Sequence, residues 1–194
     1  MTIVYIHGAK ATENSFNYIR MQITGYDEIV LEYDSKDGFA YNLEIMKLLL
    51  QNQKDLFFIA HSLGGIYAIH LADFFKIHCL GGVTLSTPYA GSPHALFLQI
   101  LFPFIHIPFI SDITTISKPF VKAGKIQLNI PWLNVVSIGG GIALMGEPND
   151  GVVSISSMKF NKNIATVDVY TDHYEMLQSK EAVQHIKSML GERI

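Results

Sequence analysis

The stretch Leu56-Phe57-Phe58-Ile59-Ala60-His61-Ser62-Leu63-Gly64-Gly65-Ile66 constrains the fold more than any other part of this chain. Its first half is a short apolar run, the pattern of a strand buried on both faces. From Leu63 onward the pattern turns helical. Passing from strand to helix in so few residues requires a very tight turn, with Ser62 at its apex and the hydroxyl standing clear of the sheet. Ala60 and Gly64 lie two residues either side of the serine, where crowding across the turn requires small side chains. A small-x-Ser-x-Gly pattern arises by chance in roughly one chain in ten of this length, so the flanking strand and helix carry its meaning.

The rest of the chain repeats the alternation. Strand-like runs occur at 2–6, 28–33, 55–60, 79–86, 133–139 and 164–170, rich in Val, Ile, Phe and Leu. Helical patterns occupy 15–21, 41–51, 63–76 and 179–190, the last closed by Gly191. Strands alternating with helices predict an α/β fold: a doubly wound, mostly parallel six-stranded sheet with helices on both faces. With 194 residues the chain reads as a single domain, 1–194. One connection breaks the rhythm. More than 40 residues separate the fourth and fifth strand runs, and they include Phe97, Phe102, Phe104, Phe109 and Phe120. Residues 89–131 therefore read as an apolar, lid- or cap-like insertion.

Composition narrows the function classes. Charged residues are 16% and the net charge is −3 with the basic residues scattered, so no basic stripe points to nucleic acid. Cys79 is the only cysteine, which excludes an intrachain disulfide and a thiolate metal cluster. No metal or other cofactor is implied. The N-terminal residues lack a basic segment followed by a long apolar one, so they read as a first strand, and a cytoplasmic location as synthesised is expected, with release by another route left open. The apolar run 95–110 is interrupted by Pro103, His106 and Pro108 and is too short to span a bilayer.

A serine becomes a nucleophile when a base takes its proton and a third group orients that base. In an open parallel sheet the partners come from loops at the carboxyl ends of strands. His173 follows the last strand and is the expected base. His70 lies within a helix, His78 precedes a strand, His94 and His106 sit in the insertion, and His185 falls in the last helix. His61 adjoins the serine, but adjacent residues in a tight turn point apart. Asp150, in Asn149-Asp150-Gly151, follows the fifth strand and is the expected acid, though these residue types also favour an ordinary turn. Asp172 is the alternative and Asp168 a weaker one. Oxyanion-stabilising amides are expected from Leu63, after the serine, and from Ala9, at the end of the first strand.

Strand-His7-Gly8, then Ala60-His61-Ser62-Leu63-Gly64-Gly65, Ser86-Thr87-Pro88, Asn149-Asp150-Gly151 and late His173 together resemble the α/β-hydrolase superfamily, most of all its small lipases and esterases. The resemblance covers nearly the whole chain and implies a reduced, six-stranded member, because there is no room for two further strands at the start. Ala60 replaces the first glycine of the family's turn motif, as in some small lipases. By the same resemblance Thr87-Pro88-Tyr89-Ala90-Gly91-Ser92 introduces the region over the active site.

The expectation is a serine hydrolase of carboxylic esters acting through Ser62, His173 and Asp150, with no cofactor. The apolar insertion favours an apolar acyl chain, held by removing its surface from water; Tyr89, Phe97 and Phe102 are the expected substrate-binding residues. Residues 95–110 are also candidates for transient contact with a lipid surface. Thioester, amide or acyl-transfer chemistry on the same groups, and a non-catalytic binding protein of the same fold, are the alternatives.

Overall fold

The computed structural model describes residues 1–91 and 118–191. Six strands, β1 (Thr2–Ile6), β2 (Asp27–Leu31), β3 (Leu56–His61), β4 (Cys79–Leu85), β5 (Trp132–Ser137) and β6 (Ala165–Val169), form one sheet. Its order is β2-β1-β3-β4-β5-β6, and all five pairings are parallel. The helices are α1 (Asn17–Gln22), α2 (Phe39–Leu50), α3 (Leu63–Phe75), α4 (Lys118–Ala123), α5 (Ile155–Met158) and α6 (Lys180–Met189). The expected doubly wound sheet with helices on both faces is thus found.

Strand side chains alternate between faces, and the chain exploits both. Val4 and Ile6 of β1 and Phe58 and Ala60 of β3 pack in one core with α2, α3 and α4. Ile3, Tyr5, Phe57 and Ile59 point the other way, into a core with Ile19 of α1 and Val183 and Ile186 of α6. This explains why the central strands read as unbroken apolar runs. The same logic applies to α3, where every residue from Leu63 to Ala72 is buried, as in a helix covered all round.

Most element bounds shift by one or two residues from the sequence reading, and two larger differences have local reasons. The segment expected as one helix over 15–21 begins as a 3-10 turn, Glu13–Phe16, and becomes α1 only at Asn17. Helix α5 was not legible because it is a single turn; Ser154 caps it by accepting from the Ser157 amide. The expected insertion is only partly covered by the described residues. Its far end is core: Phe120, Ala123 and Ile126 are buried in the α2–α3–α4 layer.

Candidate active site

All the expected polar groups lie at the carboxyl end of the sheet. Ser62 joins β3 to α3 with φ 52° and ψ −123°. A non-glycine residue pays for that conformation in steric strain, which persists only where surrounding contacts over-determine it. Here the Ser62 N–H donates to the Leu85 carbonyl (2.9 Å), and the Ser62 carbonyl accepts from the Gly65 N–H (3.0 Å) and the Thr87 hydroxyl (3.1 Å). Ser62 itself is half-buried.

The two glycines after the turn are fixed by close approach. A Cβ at Gly64 would lie 2.2 Å from the Ile6 carbonyl oxygen and 2.5 Å from that of His7. One at Gly65 would lie 2.0 Å from Thr87 Oγ1. The crowding that requires Gly64 therefore comes from the end of β1, not from Ala60 as the sequence pattern suggested. Its consequence is positional: α3 starts against the β1 terminus and brings the His7-Gly8-Ala9 loop to the serine. A Cβ on Gly8 would stand 3.2 Å from Ser62 Cβ. Leu63 opens α3, so its amide lacks an acceptor within the helix. Ala9 follows Gly8 directly, which places both expected amide donors beside the turn.

Tyr33 shapes that loop, a role the sequence did not signal. Its ring stacks on His7 at 4.5 Å and its hydroxyl donates to the His7 carbonyl (2.9 Å). His7 bonds through Nδ1 to Gly8 (2.8 Å), and burial holds its pKa below the usual imidazole value.

His173 and Asp150 come together as expected. The imidazole Nδ1 lies 2.7 Å from Asp150 Oδ2, and both side chains are almost wholly buried. With the ionised carboxylate able only to accept, Nδ1 carries the proton and Nε2 is left as the basic nitrogen. A second link ties the backbones, the His173 N–H donating to the Asp150 carbonyl (3.1 Å). The other carboxylate oxygen, Oδ1, accepts from the amides of Val152 (3.0 Å) and Val153 (2.7 Å). Burial by itself would raise the Asp150 pKa, but the hydrogen bond and charge of His173, the Ser137 hydroxyl and the Val153 amide together hold it below the ordinary value.

The Asn149-Asp150-Gly151 segment is both a turn and the mount of the Asp150 carboxylate that meets His173. Asn149 ties it down by accepting from the Ile142 and Gly151 amides (2.8 and 2.9 Å) and donating to the Ile142 and Glu147 carbonyls (3.0 and 2.8 Å). The alternative acids are engaged elsewhere. Asp172 accepts from the Tyr174 and Glu175 amides (both 2.8 Å), and Asp168 pairs with Lys159 (2.7 Å).

His61 connects the two halves. Its Nε2–H donates to the His173 carbonyl (2.9 Å), and the two rings lie 4.8 Å apart. Burial, reinforced by the neighbouring His173, pushes its pKa down to about 3, so it is a neutral strut. Among the described residues Ser62 Oγ makes no hydrogen bond to His173; serine–histidine contacts of this kind commonly close only when substrate binds.

Tyr89 does not join the site. It is buried, and its hydroxyl bonds Thr84 Oγ1 (2.9 Å) and accepts from Trp132 Nε1 (3.0 Å), so it belongs to the core beneath rather than to a substrate surface as expected. A tyrosine beside Thr-Pro reads as a loop residue; Trp132, 43 residues later, is brought to it only by the fold. Phe97, Phe102 and the proposed lipid-contact segment 95–110 lie outside the described residues, as do His94 and His106. His70 bonds the Pro119 carbonyl (2.9 Å), away from the serine turn, in keeping with a structural role.

No protein-family model matches the sequence, and no curated protein does. Solved structures do resemble it. A metagenomic carboxyl esterase superposes with TM-score 0.71 at 14% identity over 89% of this chain and 64% of its own. The mature Bacillus licheniformis lipase BlEst2 gives 0.68 at 15% identity over 99% and 92%. The enol-lactonase from Burkholderia xenovorans LB400 gives 0.70 at 12% identity over 98% and 91%. The chain has the α/β-hydrolase fold. It spans just under two thirds of the metagenomic esterase but nearly all of the other two. In this α/β-hydrolase fold Ser62, Asp150 and His173 occupy the ends of β3, the β5–α5 loop and the β6–α6 loop. No helix among the described residues is long and apolar enough to cross a membrane, and no cluster of metal-ligating side chains occurs among them.

Proposed function

We propose that this chain is a serine hydrolase of carboxylic esters. The observation that carries the reading is the buried 2.7 Å contact between His173 Nδ1 and Asp150 Oδ2, set beside a serine held at φ 52°. In this reading Nε2 of His173 takes the Ser62 proton as Oγ attacks the ester carbonyl. The Leu63 and Ala9 amides receive the oxyanion, worth about 3 kcal/mol per donor in comparable enzymes. His173 then protonates the leaving alcohol, and water, activated by the same nitrogen, releases the acid from the acyl-enzyme. Asp150 keeps the imidazole in the productive tautomer throughout.

Two further supports bear on substrate. The neighbours above are named carboxyl esterase, lipase and enol-lactonase. The composition of residues 95–110 favours an apolar acyl group over a small polar one. A thioesterase domain is also among the structural neighbours, at TM-score 0.59 and 15% identity, which keeps thioester cleavage as the second reading. Turnover of para-nitrophenyl esters of rising chain length and of the matching thioesters, together with fluorophosphonate labelling, tests both. Labelling of wild type and not of Ser62→Ala is expected; equal turnover by the two proteins rejects the reading.

A further inference from the structure

Ser86 repeats the geometry of Ser62 one strand away. It follows β4 as Ser62 follows β3, at φ 51° against 52°, and its N–H donates to the next strand's Val135 carbonyl at 2.9 Å, as that of Ser62 does to Leu85. Glycine is the residue that adopts this backbone without strain. Ser62 is half-buried, and on the functional reading above its turn presents the hydroxyl to substrate. Ser86 is fully buried, so its hydroxyl must act within the protein.

It meets Ser137, the last residue of β5, with the two Oγ atoms 2.8 Å apart. The Ser137 hydroxyl in turn reaches Asp150 Oδ2, the oxygen that holds His173. An ionised carboxylate only accepts, so the Ser137 proton points at Asp150 and the Ser86 hydroxyl must donate to Ser137. The order is thereby fixed: Ser86 to Ser137, Ser137 to Asp150, and His173 to Asp150 from the other side. Asp150 Oδ2 receives two donors and Oδ1 two amides, which accounts for a carboxylate that stays charged although buried.

We infer that Ser137 and Ser86 are positioning residues for the proposed reaction: a buried two-hydroxyl chain that clamps Asp150 Oδ2 and tempers its grip on the His173 Nδ1 proton. Neither touches substrate. The inference rests on the functional reading above but concerns a pair of hydrogen bonds that exist whatever the substrate is. Other titratable groups face the pair: His61 across the His173 ring, Tyr174 edge-on to it, and Asp172, already bonded to two amides. None of them donates to Asp150 Oδ2.

The test uses the whole protein and two readouts. In Ser137→Ala the low-field proton resonance of His173 Nδ1 moves further downfield, because the carboxylate has lost a competing donor. The acid limb of kcat/KM on a para-nitrophenyl ester moves up by about half a pH unit, and kcat falls about tenfold. Ser137→Cys, similar in volume and a weak donor, falls between the two proteins. Ser86→Ala shifts the resonance in the same direction by less. Ser157→Ala deletes another buried hydroxyl, one that donates to the Gly91 carbonyl (2.5 Å), and leaves the resonance in place. A folded Ser137→Ala whose resonance and acid limb both match wild type overturns the inference, and Ser137→Cys and Ser86→Ala decide it if Ser137→Ala does not fold. If wild type turns over no ester and takes no fluorophosphonate, the functional reading falls, while the resonance still decides the clamp.

Discussion

Ser62 and Ser86 leave adjacent strands at nearly the same φ, each with its N–H bonded to the next strand. One stands half-exposed beside the His7-Gly8-Ala9 loop; the other is buried and reaches Asp150 through Ser137. The difference lies in the residues that come after each serine. After Ser62 come Leu63 and two glycines, which let a helix start flush against β1. After Ser86 come Thr87 and Pro88, and the chain turns away. The same left-handed φ thus goes with a half-exposed serine where a helix begins at once and with a buried one where Thr-Pro follows.

The largest effect expected from breaking this comparison is at Ser62. Ser62→Ala should lower kcat on an activated ester by about 10⁴-fold or more, while Ser86→Ala should retain most of it. Steady-state kinetics on both variants measures this; comparable losses would mean that the two positions are not divided between chemistry and support.

Next comes the packing that separates the two turns. Gly64→Ala drives a methyl group into backbone carbonyls 2.2 and 2.5 Å away, which cannot rotate aside. A loss of about 3 kcal/mol in urea unfolding is expected. Gly65→Ala meets the Thr87 side chain instead, which can turn at the expense of its 3.1 Å bond to the Ser62 carbonyl. Its cost should be smaller, about 1–2 kcal/mol. Reversal of that order would show that the β1 loop, not the Thr87 contact, is the yielding partner.

The third effect is on pH dependence, through His61, the strut between the Ser62 turn and His173. His61 has its folded pKa lowered from 6.5 to about 3, with burial the main cause. The unfolded chain therefore binds a proton that the folded one refuses between those values, and stability falls as pH drops through that window. His61→Gln removes the titration and keeps a donor for the His173 carbonyl. Between pH 7 and 4.5 it should lose about 2 kcal/mol less than wild type. Urea midpoints at the two pH values provide the measurement, and parallel losses in both proteins would place the acid sensitivity elsewhere, for example in His7 or His70, whose pKa values burial also lowers.

What the sequence showed and what it hid divide along the same line. Ser62 and His173 were legible because each lies within a few residues of a strand end, and strand ends are marked by apolar runs; Asp150, 13 residues past β5, was legible only through its Asn-Asp-Gly segment between the fifth and sixth strand runs. Ser137 was invisible because nothing local distinguishes it from any serine ending a strand; its role depends on Asp150, 13 residues later, and on Ser86, 51 residues earlier. Tyr89 was misplaced for the same reason, since Trp132, which holds its hydroxyl in the core, lies 43 residues later. Gly64 was correctly read as a position that must be small, but the neighbour that makes it so belongs to β1.

The smallest effect is the most discriminating. Glycine relieves the φ strain at either serine, worth about 1 kcal/mol. At position 62 the hydroxyl makes no bond to His173 that would be lost, so Ser62→Gly should be inactive yet more stable by roughly that amount, offset a little by the entropy glycine adds to the unfolded chain. At position 86 the same substitution deletes the donor to Ser137 in a buried site, a loss of about 1 kcal/mol that cancels the relief. Ser86→Gly should then unfold at nearly the wild-type urea concentration. Equal stabilisation at both positions would mean that the Ser86 hydroxyl holds nothing, and that its backbone conformation is an accident of the β4 turn and not the cost of a support.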